Sequence, residues 1–142
     1  GRVGEIREVR PAVLSALIGA GFIPVIAPLG VDTEGNSLNI NADTAAGELA
    51  AALKAEKLVL MTDTAGVCDR DGKLLQSLTA ADIARLREAE VITGGMIPKV
   101  ECALNALAGG VSKVHVLDGR VQHAILLEIF TDRGIGTEIL RN

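Results

Sequence analysis

The sequence contains no tryptophan, no tyrosine and only two phenylalanines in 142 residues. Its core must therefore be aliphatic, and it lacks the stacking platforms on which single-strand nucleic-acid binders rest their bases. Excess positive charge is lacking too. Fourteen Lys and Arg stand against eighteen Asp and Glu, for a net charge of −4 and a pI near 5.2. No basic stripe is present, so nucleic acid is not an expected partner. Cysteine is scarce as well. Cys68 and Cys102 form neither a CxxC pair nor a disulfide framework, which points to reduced thiols and a cytoplasmic location.

Charge is missing from one long run. Residues 11–31, "PAVLSALIGAGFIPVIAPLGV", are long enough to span a bilayer. Gly19, Gly21, Pro24 and Pro28 divide the run into a short helix, a turn and a strand, so no membrane association is expected. The opening "GRVGEI" reads neither as a signal peptide nor as a natural start, and it leads us to expect a piece of a longer protein. The length suits one domain over residues 1–142 with a real core.

What is present alternates between helical and extended patterns. Residues 8–20 read as a helix with Val9, Val13, Leu14 and Leu17 on one stripe and Gly21 as its stop. "FIPVIAPLG" reads as a buried strand, and "VDTEGNSLNI" as a turn at Glu34-Gly35-Asn36 followed by an extended run. Residues 42–55 are rich in helix formers and nearly uniform in small residues, a face that can lie close to a sheet or a ligand. "KLVLM" is a continuously apolar strand of the kind found in parallel sheets covered on both sides. "VCDRDGKLL" reads as a hairpin turning at Asp71-Gly72, and Thr79 with Asp82 opens a helix to about Glu90 as a capping-box variant. "GGMIPKVECALNALAGG" and "RVQHAILLEIF" read as helices, "SKVHVL" and "GIGTEIL" as strands. The order predicts an α/β fold: a three-layer α/β/α sandwich with a mostly parallel open sheet.

In open α/β sheets, ligands bind beyond the carboxyl ends of the strands. Three polar clusters fall at such ends: Asn39 to Asp43, Thr62 to Gly66 and Thr93 to Lys99. In "TGGMIPK", Gly94 and Gly95 let backbone approach a ligand, and the helix start offers unpaired N–H groups to an anion. Lys99 falls in that helix's first turn, where the dipole disfavours a cation. A bound phosphate offsets the conflict; a solvated surface lysine is the plainer reading. "MTDTAG" leaves a buried strand through hydroxyls and a close turn able to hold ribose or phosphate, or it is an ordinary strand exit. Neither a Walker loop nor a GxGxxG fingerprint occurs. In "LNINAD", Asn41 or Asp43 can cap the next helix, which leaves Asn39 unexplained. A carboxylate at a phosphate site repels the substrate unless it holds a cation, a condition Asp43 meets if it orients Lys99.

Together "GFIPVIAPLGVDTEGNSLNINAD", "KLVLMTDTAGV" and "GGMIPKV" resemble the amino acid kinase family, in the branch that phosphorylates N-acetyl-L-glutamate. The resemblance runs along essentially the whole chain. It implies transfer of phosphate from ATP, with Mg2+ carried on the nucleotide phosphates and no metal held by protein ligands, to the γ-carboxylate of N-acetyl-L-glutamate in arginine biosynthesis. It implies Lys99 as stabiliser of the transferring phosphoryl group, Asp43 as organiser of the catalytic lysines and Asn39 as a substrate ligand. It implies a nucleotide site from Asp63, Thr64, Ala65, Gly66, Val67, Cys68, Val91, Ile92, Thr93 and Met96. A second catalytic lysine, glycine-rich phosphate turns and a carboxylate-gripping arginine belong to the family's amino-terminal half, which this sequence does not contain. The chain is thus expected to be the nucleotide-binding half of a homo-oligomeric enzyme, and inactive alone. The tail "HAILLEIFTDRGIGTEIL" is similar to that of members inhibited by L-arginine, which implies an allosteric site near Lys57, His123, Glu128 and Gly134. The alternatives are a solitary nucleotide- or arginine-binding module without turnover, or a kinase for a related aminoadipate derivative.

Overall fold

Helix propensity, strand periodicity and proline placement sort the chain into eleven elements among the described residues. They are α1 (Ala12–Gly19), β1 (Leu29–Val31), β2 (Ser37–Asn39), α2 (Ala42–Ala52), β3 (Lys57–Thr62), β4 (Ser77–Thr79), α3 (Ala80–Glu88), α4 (Met96–Ala108), β5 (Lys113–Asp118), α5 (Ala124–Phe130) and β6 (Thr137–Leu140). The structure is a computed structural model that describes residues 2–131 and 134–141. The tail stretch singled out above includes residues 132 and 133, which lie outside the described residues.

Four strands form an open sheet in the order β3-β5-β6-β4. β3 pairs parallel with β5 and β4 parallel with β6, whereas β5 and β6 run antiparallel, so the sheet is mostly parallel. Leu58, Leu60, Val114, Val116 and Ile139 are buried in one core with Ala50, Val100, Ala103, Ala106 and Leu107 of α2 and α4. α5 packs on β5 through buried Ala124 and Glu128 and makes the third layer. The small residues of α2 have a packing reason. A Cβ on Gly47 would lie 2.8 Å from Cys102 Sγ, so α2 can lie close along α4 only without that atom.

Local signals explain most boundaries. Thr79 N donates to Asp82 Oδ2 at 2.8 Å and Asp82 N donates back to Thr79 Oγ1 at 3.2 Å, the expected capping box. Asp69 N donates to Lys73 O and Cys68 bridges Leu74 antiparallel, with Gly72 at φ +77° completing the turn. The three-residue strand β4, whose last residue Thr79 is the cap itself, is not signalled by the sequence pattern.

Two expectations are corrected. The first helix spans Ala12–Gly19 rather than 8–20, because Arg10 precedes Pro11 and its helical conformation is disfavoured. The buried strand expected over "FIPVIAPLG" is absent. Ile23 is 91% and Val25 96% exposed, and pairing begins only at Leu29, in the antiparallel hairpin β1-β2. Pro24 and Pro28 each remove a ladder donor there. No helix of the described residues is long and apolar enough to cross a membrane.

Candidate functional site

The topology decides which helix ends meet. α2 runs through a short loop into the start of β3, and α4 does the same into β5. Because β3 and β5 are parallel, the amino termini of α2 and α4 both lie over the strands' carboxyl ends. There Lys99 Nζ donates to Asp43 Oδ1 at 3.0 Å and to Oδ2 at 2.9 Å, with side chains 17% and 24% exposed. Asp43 is favoured by the dipole of α2 and Lys99 is disfavoured by that of α4, so the carboxylate offsets the lysine's misplacement. Cys102 Sγ donates to the Asp43 carbonyl at 2.9 Å. Burial, then the Asp43 charge, pushes this thiol up to about 11, so it serves as a donor rather than a thiolate.

The three polar residues of "LNINAD" therefore have three fates. Asn41 caps α2, its side chain accepting from Thr44 N at 3.0 Å. Asp43 grips Lys99. Asn39 has its backbone paired, donating to Arg2 O at 2.8 Å and accepting from Gly4 N at 3.0 Å. Its exposed side chain has no hydrogen-bond partner among the described residues.

Beyond β3, Asp63, Thr64 and Ala65 are exposed at the same end. Thr64 Oγ1 donates to Gly66 O at 3.2 Å, Gly66 stands at φ +145°, Val67 is 1% exposed and Cys68 is half-buried. Sequence reasoning missed two neighbours here. Gly119 N donates to Thr62 O at 2.7 Å, joining the exits of β3 and β5. Next to it Arg120 Nε and one terminal guanidinium nitrogen donate to Asp118 at 2.9 and 2.8 Å. Those bonds hold the Asp118 carboxyl down at about 2. The same bonds to Asp118 and its charge strengthen Arg120's hold on its proton, and charge attraction from Asp63 adds to it. The available signal was the tripeptide Asp118-Gly119-Arg120 directly after an apolar strand.

The third cluster differs from expectation in its backbone. Met96 N donates to Thr93 O and Ile97 N to Gly94 O, each at 3.2 Å, and Pro98 has no N–H. Two of the N–H groups expected to face an anion are thus already engaged, because the residues before the helix tighten into turns. An added Cβ on Gly94 or Gly95 would meet nothing within 4 Å, so the space before the helix is open. Thr93 is exposed, Val91 and Met96 are half-buried, and Ile92 belongs to the core at 4% exposure. Val67 and Ile92 can therefore support a ligand only through backbone or from beneath. The donor set suits a polyphosphate: the Lys99 ammonium, exposed hydroxyls and open glycine backbone, while the Arg120 guanidinium is engaged by Asp118. Among the described residues no group of three or more His, Cys, Asp or Glu could hold a metal ion.

Lys57, Glu128 and Gly134 come together elsewhere, at the amino end of β3. Glu128, with a side chain 4% exposed, accepts from Lys57 Nζ at 3.4 Å and from Ile135 N at 3.2 Å. His115 Nδ1 also contacts Glu128, and its Nε2 lies 3.2 Å from Glu138 Oε1. Burial holds the His115 pKa below the usual histidine range despite both glutamates. His115 was not anticipated, because a lone histidine in an apolar strand carries no spacing signal. His123 is not part of this cluster. It starts α5 with φ +60° and is exposed beyond the carboxyl end of β5, beside Met61, while Lys57 begins the parallel strand β3.

Known proteins resemble this chain in sequence and in fold. A family model described as the amino acid kinase family matches residues 1–118. The chain is 60% identical over 139 residues to an acetylglutamate kinase of Citrifermentans bemidjiense, covering 98% of this chain and 48% of that protein. It is 61% identical over 140 residues to an acetylglutamate kinase of Geotalea uraniireducens, covering 99% and 48%. Among solved structures it is similar to N-acetylglutamate synthase from Neisseria gonorrhoeae complexed with coenzyme A and L-arginine. That match has a TM-score of 0.92 at 35% identity and covers all of this chain and 33% of the other. The chain spans about half the length of the curated relatives it matches.

Proposed function

The chain belongs to the amino acid kinase family, and from that premise we propose that it supplies the nucleotide-binding half of an acetylglutamate kinase. The whole enzyme transfers the γ-phosphate of ATP to the γ-carboxylate of N-acetyl-L-glutamate, in the cytoplasm and as a homo-oligomer, for arginine biosynthesis. The observation that carries this reading is the bidentate Lys99–Asp43 pair above the carboxyl ends of two parallel strands. Phosphoryl transfer depends on positioning and on compensating charge at the phosphoryl oxygens. Lys99 offers the compensating ammonium, and Asp43 fixes its direction. Asn39 presents a free side-chain amide to the acetylglutamate. The backbone and hydroxyls of Asp63 to Cys68, with Val91 to Thr93 and Met96, hold the nucleotide, and Mg2+ binds through its phosphates.

Replacing Lys99 with Ala separates this role from that of a surface lysine. Removing a charge-assisted contact to phosphate is expected to weaken MgADP binding about 10- to 100-fold while adenosine binding changes little. Calorimetric titration of both ligands measures the difference. Equal effects on the two would deny Lys99 a role at the phosphates.

A second reading concerns regulation, and the buried Glu128 favours it. Its carboxylate, flanked by Lys57 and by the backbone at Gly134 and Ile135, suits a guanidinium. We infer that L-arginine binds there as an inhibitor, with His123 outside the immediate pocket. Millimolar L-arginine should shift the Glu128, Gly134 and Ile135 amides, and citrulline should not. A flat response to arginine removes this reading.

A further inference from the structure

We propose that Thr137, at the start of β6, is a positioning residue for the nucleotide loop; this rests on the reading of Asp63 to Cys68 as that loop. Thr137 is fully buried, and its neighbours along the chain give no reason for a hydroxyl in such a place. Its Oγ1 accepts from Val67 N at 2.8 Å and lies 2.7 Å from Leu75 O, to which it donates. A hydroxyl has one hydrogen to give, so the longer 3.4 Å approach to Val67 O is secondary. That carbonyl already accepts from Leu75 N at 2.9 Å. Val67 and Leu75 are the two sides of the stem from which the Asp69–Lys73 turn projects. The hydroxyl thus stands between them as a third strand would.

Thr137 is itself fixed. It pairs with Val116 in the β5-β6 ladder, so the stem is tied to the middle of the sheet. Gly66 makes the tie close. A Cβ there would lie 2.7 Å from Thr137 Oγ1, 2.7 Å from Leu74 Cδ1 and 3.1 Å from Thr137 N. The loop backbone therefore sits directly on this side chain, and the direction in which Thr64 to Gly66 leave the sheet follows from it. Valine has the same shape as threonine but leaves the Val67 N–H and Leu75 C=O unpaired. The loop would settle elsewhere, while the core would keep its volume.

The test compares MgADP affinity of the full chain with that of Thr137→Val and Thr137→Ser, well below each protein's unfolding temperature. Thr137→Val is expected to bind about tenfold more weakly, and Thr137→Ser to bind within about twofold of the unsubstituted chain. A purely structural role lowers the melting temperature of Thr137→Val and leaves the affinity of the folded protein unchanged, a result that overturns the proposal. Hydrogen exchange at the Val67 amide of the unsubstituted chain gives a second measure should Thr137→Val not fold. Protection there supports the tie, and exchange as fast as at Asp63 to Ala65 overturns it. Absence of MgADP binding by the unsubstituted chain removes the nucleotide reading and this proposal together, whereas unchanged affinity in Thr137→Val removes this proposal alone.

Discussion

Supplied with MgATP and N-acetyl-L-glutamate, the purified 142-residue chain is expected to form acyl phosphate at only a trace of an ordinary enzymatic rate. One side of the transfer geometry is present, in Lys99 and Asp43. The sequence spans about half the length of its relatives. The family resemblance implies that a second lysine, glycine turns and a carboxylate clamp belong to the family's amino-terminal half. Without them the acceptor carboxylate has no fixed place relative to the phosphoryl group. Positioning two reactants supplies roughly 7–11 kcal/mol of barrier lowering. Its loss alone corresponds to a rate reduction of roughly 10⁵- to 10⁸-fold. Hydroxamate capture of the acyl phosphate and a coupled assay for released ADP both read this. Acetylglutamate-dependent turnover near 10 s⁻¹, roughly the median for enzymes, would show that the reacting groups have been wrongly assigned.

The second large effect concerns Gly136→Ala. Gly136 stands at φ +89°, and an added Cβ would lie 2.2 Å from the Val116 carbonyl oxygen and 3.0 Å from Leu117 Cδ2. The obstacle is strand backbone at the fully buried Val116, so it cannot swing aside as a side-chain tip would. Strain in the left-handed region costs on the order of 1 kcal/mol, and the forced separation of β5 from β6 adds to it. A total loss of about 3 kcal/mol or more is expected in urea unfolding. Gly35→Ala is the control. Its φ is +86°, yet a Cβ there meets nothing within 4 Å, so only the conformational cost of about 1 kcal/mol applies. If Gly136→Ala loses no more than Gly35→Ala, the close approach of β6 to β5 is not a constraint on this fold.

These two glycines illustrate what can be read before a structure is known. Gly35, between Glu34 and Asn36, announces a turn by its neighbours alone. Gly136 looks like any glycine near a strand, because its constraint comes from Val116, twenty positions away in the chain. The same division runs through the site. The apolar runs of β3 and β5 and the capping box at Thr79 are local signals, and the elements they announce are present. Lys99 gave itself away by opposing its own helix. Asp43 as its partner was accessible as a chemical requirement rather than as a pattern. Thr137 and His115 were not legible, since each acquires its meaning from a neighbour on another element, whereas the Asp118–Arg120 pair was a local signal passed over. The exposed course of residues 22–28 was misread for the opposite reason. Its hydrophobicity suggested burial, but Pro24 and Pro28 deny it a place in a ladder and no described strand lies beside it.

The carboxyl ends of β3 and β5 are expected to form a nucleotide site, with Lys99 at its phosphates. Titrating the isotopically labelled chain with MgADP while following backbone amides tests it most directly. Saturable shifts are expected at Asp63 to Cys68, Val91 to Thr93, Met96 and Lys99, with Lys57, Glu128 and Ile135 unmoved. Shifts centred on Lys57 and Glu128, or none at millimolar nucleotide, would contradict it.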